Sequence, residues 1–589
     1  GVVDGPTPVS AGALQEYVFN SLEQDSMYWF IVRTWDKAEK YSTSNSSGSV
    51  PAPPGAADGV IFWSTGTSNT PRFRNWTPPS WVGASNSPAI GLPSGHRVEF
   101  VRGAACPYLR DEKLVIFQTG DGDATIETLG NLYIQRWNSE SWSDLGQLNS
   151  TENNMRDAVR NSDIAYEQNS GRALIAYYNG EAGQISYRVW SATAAVWSVG
   201  ATNFNLPGAA SDSNWLRLRA KPNSNQIIMA ILRADSSIVS AVWDGDSNQF
   251  LSVSTSIVTT AAAVVDKECF DLAWEGASGR ALIAWGEGTE ASGVVRYSTW
   301  TQTFGWSGSM SGPAVGDTVM WLQLAADPVS NRVGLSYIGG TPPPRRPSWN
   351  VCMWSGTEWG AFSTKDAAME TNSSRSTDIA WEKDSGRCVV VAGDADAREL
   401  SFIGWTSALG WHNPLTGAAA TPNTAPKTTN LSLLGDINTL GLVTDPNKNQ
   451  MLCYIIDQAA DLTTVNWTGS DWGVVQQHQT AAIAISDMAK DCVALILERR
   501  DKVPPSLTNN QTGDTTWRNE NTGSYDVTFN DSGGSYLNKF QVRATTGPGV
   551  NSTAVVDWTD NLIFPSETNS YSDLWGLTSD IWNGLREGV

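Results

Sequence analysis

The sequence predicts an all-β protein: an eight-bladed β-propeller, with seven blades as the alternative, flanked by β-sandwich domains. Three observations carry this reading. A two-strand hairpin recurs at a period near fifty-five residues, a pair of aromatics follows each copy, and the leftovers at the two ends of the repeat are complementary halves.

The hairpin is plainest in SDIAYEQNSGRALIAYYNG from Ser162, FDLAWEGASGRALIAWGEG from Phe270 and TDIAWEKDSGRCVVVAGDA from Thr377. Weaker copies start at Leu216, Leu322 and Leu440. Each joins two apolar runs through a polar turn such as Ser170-Gly171-Arg172, where glycine and asparagine tolerate the positive φ of a tight hairpin. The last turn residues, Arg172, Gln226, Arg280, Arg332, Arg387 and Gln450, are 54, 54, 52, 55 and 63 residues apart.

A second hairpin follows, marked by Trp137 with Trp142, Trp190 with Trp197, Trp243 with Phe250, Trp300 with Trp306, Trp354 with Trp359, Trp405 with Trp411, and Trp467 with Trp472. Each pair brackets a short polar turn, and the runs before it alternate as strands do. Two hairpins make four strands, which is one propeller blade. Complete units run from about Arg97 to His478. ISDMAKDCVALILE from Ile485 then reads as a spare first hairpin, and RFRNWTPPSWVG from Arg72, with Trp76 and Trp81, as a spare second one. Pairing them in one blade closes the ring and removes an open sheet edge.

The Asp-x-Ala-aromatic-Glu form occupies alternate copies, at Asp163, Asp271 and Asp378, with Asp487 in the same phase, so a two-blade unit of about 107 residues is repeated. Those aspartates read either as a ring of carboxylates lining the axial channel or as caps on neighbouring backbone or partners of arginines; the second reading is favoured. The tryptophan pairs read as packing between blades in preference to sugar-stacking platforms.

The flanks differ in character. Residues 1–45 carry Leu22 and Tyr28 in a Leu-x-x-x-x-x-Tyr spacing, followed by YWFIVRTWDKAEKYSTSN. This resembles the C-terminal part of a fibronectin type III domain, whose tyrosine anchors a corner of the sandwich. Residues 46–56 are a Pro/Gly/Ser linker and 57–500 the propeller. Residues 501–589, with NQTGDTTWRNENTGSYDVTFNDSGGSYLNKFQVRATT, resemble the immunoglobulin-like β-sandwich modules of very large bacterial surface proteins. One end lacks early strands and the other late ones. A longer polypeptide supplying the missing strands is expected, with head-to-tail strand exchange between copies as the alternative.

Composition sets limits. The chain of 589 residues has 39 Lys+Arg against 60 Asp+Glu, a formal net charge of −21, which disfavours nucleic acid and anionic membranes as partners. No apolar stretch is long enough to span a bilayer. The start at Gly1 shows no secretory signal, so an export address is expected outside this sequence. Cys106, Cys269, Cys352, Cys388, Cys453 and Cys492 form no CxxC pair and read as buried free thiols. His96, His412 and His478 lie far apart, with no HExxH, GxSxG or phosphate loop nearby. The loops GDGDA from Gly120 and WDGDSN from Trp243 offer oxygen ligands for Ca2+, although plain hairpin turns are favoured.

No catalytic, cofactor-binding or metal-binding residue is assigned on these grounds, and no cofactor is expected beyond that Ca2+. The function read from the sequence is a non-enzymatic, extracellular or cell-surface structural or adhesive module, whose partners are copies of itself or neighbouring surface proteins. The alternatives are a glycan-binding, lectin-like propeller and a polysaccharide hydrolase or lyase working at the axis.

Overall fold

The computed structural model describes the backbone of residues 16–23 and 26–36, most of residues 58–498 and most of residues 506–585. The chain divides into two compact units: Ala57–Pro107 with Asp111–Glu498, and Gly1–Ala56 with Tyr108–Arg110 and Arg499–Val589. The linker read at 46–56 lies outside the described residues.

The larger unit is a β-propeller. Among its described residues, eight antiparallel sheets of four or five strands succeed one another. The first strand of each sheet packs against the first strand of the next, and Ile437–Thr444 packs against Val493–Leu497, so the ring closes. Each sheet is covered by a neighbour on both faces. Its central strands are therefore buried along their whole length and apolar except at their ends, as in Gln226–Arg233 and Met451–Asp457. The outermost strand Val196–Asn205 meets water and alternates half-buried with exposed residues. The Ser-Gly-Arg turns need a left-handed residue, and Gly171, Gly279 and Gly386 supply it at φ of 67°, 63° and 68°.

The closing sheet differs from its expected make-up. Its order is Val493–Leu497, Gly59–Trp63, Arg72–Thr77 and Ser80–Trp81. Ser85–Asn86 also pairs with Arg72–Thr77, so among the described residues the far end contributes one strand and the near end four, instead of a hairpin from each. Val493–Leu497 pairs antiparallel with Gly59–Trp63, from Gly59 opposite Leu497 to Trp63 opposite Val493. GVIFW is five buried residues with no alternation, too short a run to separate from the adjoining linker by pattern. Asp487, expected in phase with the other repeat aspartates, lies outside the described residues.

The smaller unit corrects the division of the ends into separate domains 1–45 and 501–589. Strand Ser26–Asp36 pairs with Glu16–Glu23 on one side and with Leu537–Thr545 on the other, and Leu537–Thr545 pairs in turn with Ala554–Thr568. The edge that a half-sandwich would leave open is therefore filled from within the same chain, Trp29 opposite Thr545 through to Asp36 opposite Leu537. A second sheet of Ser506–Asn509, Val527–Asn530 and Ser570–Tyr571 shares its apolar core, in which Phe529 stacks on Phe540 at 4.6 Å. The short helix Ser579–Gly584 is capped by Thr578, whose side chain accepts from the Ile581 amide. Among the described residues no helix is long and apolar enough to cross a membrane.

Candidate functional site

The paired aromatics lie in the seams between sheets. Ring centroids are 5.5 Å apart for Trp137 and Trp142, 5.3 Å for Trp190 and Trp197, 5.4 Å for Trp354 and Trp359, and 5.5 Å for Trp467 and Trp472. No member of these pairs is solvent-exposed, and Trp243, Trp354 and Trp467 are fully buried.

A buried glutamate holds each of three such seams. Glu275 accepts from Ser278 Oγ, from Arg280 and, at 2.7 Å, from the Nε1–H of Trp354, which stands on the next sheet along the chain. Glu167 takes Ser170, Arg172 and Trp243 in the same way, and Glu382 takes Ser385, Arg387 and Trp467. The serine and arginine of the Ser-Gly-Arg turn therefore serve to hold a glutamate onto a tryptophan. Arg172, Arg280 and Arg387 also donate to the carbonyls of Gly245, Gly356 and Gly469. The closing sheet has no such turn, because its first two strands come from opposite ends of the chain. There Glu498 faces Lys113 instead, 2.6 Å away and equally buried.

The axis is lined by the first strands. The amides of Leu216, Leu322, Leu440 and Val101 donate to the carbonyls of Arg160, Glu268, Arg375 and Asp491, which fixes these four as equivalent positions. Three residues further on stand Asp163, Asp271, Asp378 and, in the closing sheet, Ala494. The aspartates cap neighbouring backbone: their Oδ2 atoms accept from the amides of Leu218, Leu324 and Leu442 at 2.8, 2.9 and 2.8 Å.

Between these tiers the charged side chains form two clusters. Glu268 faces Arg160 and Arg217, with Arg217 Nε 2.7 Å from its Oε1. Asp491 faces Arg375 at 2.5 Å and Arg102 at 3.2 Å. Gln323 accepts from Arg217 at 2.9 Å and from Arg375 at 3.5 Å, joining the two. Tyr454 donates to Asp491 and accepts from Arg375, each at 2.8 Å; it reaches the axis because Gly441 opposite has no Cβ, which would lie 2.3 Å from its ring. Burial alone would raise the Glu268 carboxyl, but Arg160 and Arg217 outweigh it and bring it down to about 2. Burial opposes the charge on Arg375 as well, yet Asp491 and Tyr454 hold its pKa well above the usual value.

A cavity of about 210 Å³ opens beside these clusters, with Arg102, Arg217, Arg219, Arg375, Gln323 and Asp378 on its wall. The sequence reading weighed Asp378 as an axial carboxylate but favoured a backbone cap or arginine partner, and it singled out none of these arginines. Their signal was present: Arg160, Glu268 and Arg375 each stand three residues before a repeat aspartate.

The remaining candidates are used elsewhere. His412 Nδ1 lies 2.8 Å from the Gly410 carbonyl, and His478 sits between Arg74 and Thr464. All six cysteines are buried free thiols. Asp244 accepts from Ser247 within its own hairpin turn and Asp246 from Asn225 of the preceding turn; Asp123 of the other acidic loop lies outside the described residues. Among the described residues no three His, Cys, Asp or Glu side chains gather as metal ligands.

The ring of four- and five-stranded sheets makes this a β-propeller protein. No protein-family model and no curated protein matches the chain. Among solved structures it is similar to a lectin from Burkholderia pseudomallei, at 11% identity over 65% of this chain and 100% of that one, with a TM-score of 0.45. The propeller domain of the Trilobed protease from Pyrococcus furiosus matches at 7% over 65% and 99%, with a TM-score of 0.34. AofleA from Arthrobotrys oligospora matches at 8% over 68% and 90%, with a TM-score of 0.33.

Proposed function

We propose that the chain is a non-enzymatic, extracellular structural or adhesive module of a large surface protein or filament, built on an eight-bladed propeller. Its two ends together make one sandwich of the immunoglobulin-like class, its partners are copies of itself or neighbouring surface proteins, and it requires no cofactor. One observation supports this above all: the residues that recur from copy to copy are spent on holding sheets together. The tryptophans lie in seams, Glu167, Glu275 and Glu382 bind their indole N–H groups, and Asp163, Asp271 and Asp378 cap backbone. A repeated catalytic or sugar-stacking device would leave such residues open to solvent.

The test is twofold. Incubation with a panel of polysaccharides is expected to release no reducing ends and no unsaturated products, while sedimentation at rising concentration detects self-association. Turnover abolished by substitution of Arg375 or Asp491 would replace this reading with an enzymatic one. A glycan-binding role is the second reading, favoured by the arginine-walled axial cavity.

A further inference from the structure

We propose that the axial cavity is a binding site for a small polar carboxylate, of the size and class of a single uronic acid unit. This goes beyond the structural role and gives the glycan-binding reading a definite place.

The argument starts from a break in the repeat. Three of four equivalent quadrants carry an aspartate whose Oδ2 caps the amide two residues beyond Leu216, Leu322 or Leu440, namely Leu218, Leu324 or Leu442. By the same register the fourth quadrant pairs Ala494 with the Gly103 amide, next to Arg102. Ala494 supplies no carboxylate there, and both Ala494 and Gly103 are on the cavity wall. An anion in the cavity would take the place of the missing side chain.

The charges agree. Arg102, Arg217, Arg219 and Arg375 reach the wall with Asp378, while Glu268, Asp271 and Asp491, which pair with these arginines, are not on it. Both Asp378 oxygens are occupied, Oδ1 by the amide of Ile379 and Oδ2 by that of Leu442. Arg102 Nε is buried without a hydrogen-bond partner, and Arg219, paired with Asp271 at 3.3 Å, keeps 36% of its side chain exposed. Guanidinium forks match carboxylates in a bidentate manner. Gln323 and Asp378 on the wall offer partners for hydroxyl groups, and about 210 Å³ suits one sugar ring better than a chain.

Titration calorimetry of the whole chain with D-glucuronate, D-glucose and inorganic sulfate tests this. Glucuronate is expected to bind and glucose not. Arg102→Gln and Arg219→Gln should each raise Kd about tenfold or more, the usual scale for a lost charge-assisted hydrogen bond. Ala494→Asp should abolish binding without lowering the melting temperature, because it restores the cap the other quadrants have. The exposed Arg219 keeps the test valid if the buried variants fold poorly. The site is overturned if glucuronate does not bind, if glucose binds equally, if sulfate binds and glucuronate does not, or if Arg219→Gln and Ala494→Asp bind as the parent does. Capture of neutral glycans that is indifferent to Ala494→Asp would overturn the axial site and leave the glycan-binding reading standing.

Discussion

Substituting Glu275 by Ala probes the device that joins the propeller's sheets. Glu275 is inaccessible to solvent and accepts from Ser278, Arg280 and Trp354. Arg280 keeps 27% of its side chain exposed and can turn to water, so its loss is modest. Trp354 is fully buried and cannot; its orphaned Nε1–H costs about 1–3 kcal/mol. With the serine and arginine bonds added, the expected loss is about 3–4 kcal/mol. Trp354→Phe keeps the ring and removes the donor, at about 1–2 kcal/mol. The two changes should couple in a double-mutant cycle by about 1 kcal/mol or more, whereas Glu275→Ala with Trp467→Phe should be additive, because Trp467 belongs to Glu382. Urea midpoints followed by far-UV circular dichroism avoid signals from the altered tryptophans. A loss below about 0.5 kcal/mol, the range of an ordinary surface change, would refute the clamp. So would equal coupling to Trp354 and Trp467.

Further outcomes follow from the closing seam and the axis. Burial, then Arg74, lowers the His478 pKa from 6.5 to about 3, so the unfolded chain binds this proton below about 6.5 and the folded chain does not until about 3. Stability from this ring is complete above 6.5 and lost as pH falls toward 3, on the order of a few kcal/mol; His478→Gln should flatten the melting-temperature profile across that window. Gly441→Ala should displace the Tyr454 ring from Asp491 and Arg375 and cost about 2–3 kcal/mol, read as a lowered urea midpoint. Treatment with EDTA should leave the melting temperature unchanged, and a fall reversed by Ca2+ would restore the acidic loops as metal sites.

How far the sequence speaks depends on how local each feature is. The hairpins around Gly171, Gly279 and Gly386 are legible because their turn residues must be what they are. The first strand of the closing sheet's near-end segment, Gly59–Trp63, is not: its partner Val493–Leu497 lies at the other end of the repeat, and no local pattern announces the pairing. The same holds for Asp36 opposite Leu537, where two stretches that each resemble a fragment of a sandwich supply one sheet. The repeat aspartates stand out because they recur unchanged. The axial charges do not, because Arg160, Glu268, Arg375 and Asp491 alternate in sign at one position and look like noise until the copies are aligned through their backbone bonds.

That alternation has a physical cause. Duplicating a two-blade unit around an axis brings identical residues face to face, and like charges 4 Å apart repel by about 4 kcal/mol at an effective dielectric of 20. Four arginines at the position of Arg160 would be unsustainable in so buried a place. Acids at alternate copies turn repulsion into attraction: Glu268 sits between Arg160 and Arg217, and Asp491 between Arg375 and Arg102. Each acid is thereby committed to two guanidinium groups, and neither acid is on the cavity wall. The tier beyond repeats the logic with Asp163, Asp271 and Asp378, and there the closing sheet departs, with Ala494 where a fourth aspartate would complete the set. Divergence among copies at the axis thus has two sources: charge balance, which requires Glu268 and Asp491, and an unfilled anion position, which charge balance does not require. The second is the place where a ligand, and not the fold, accounts for the residue.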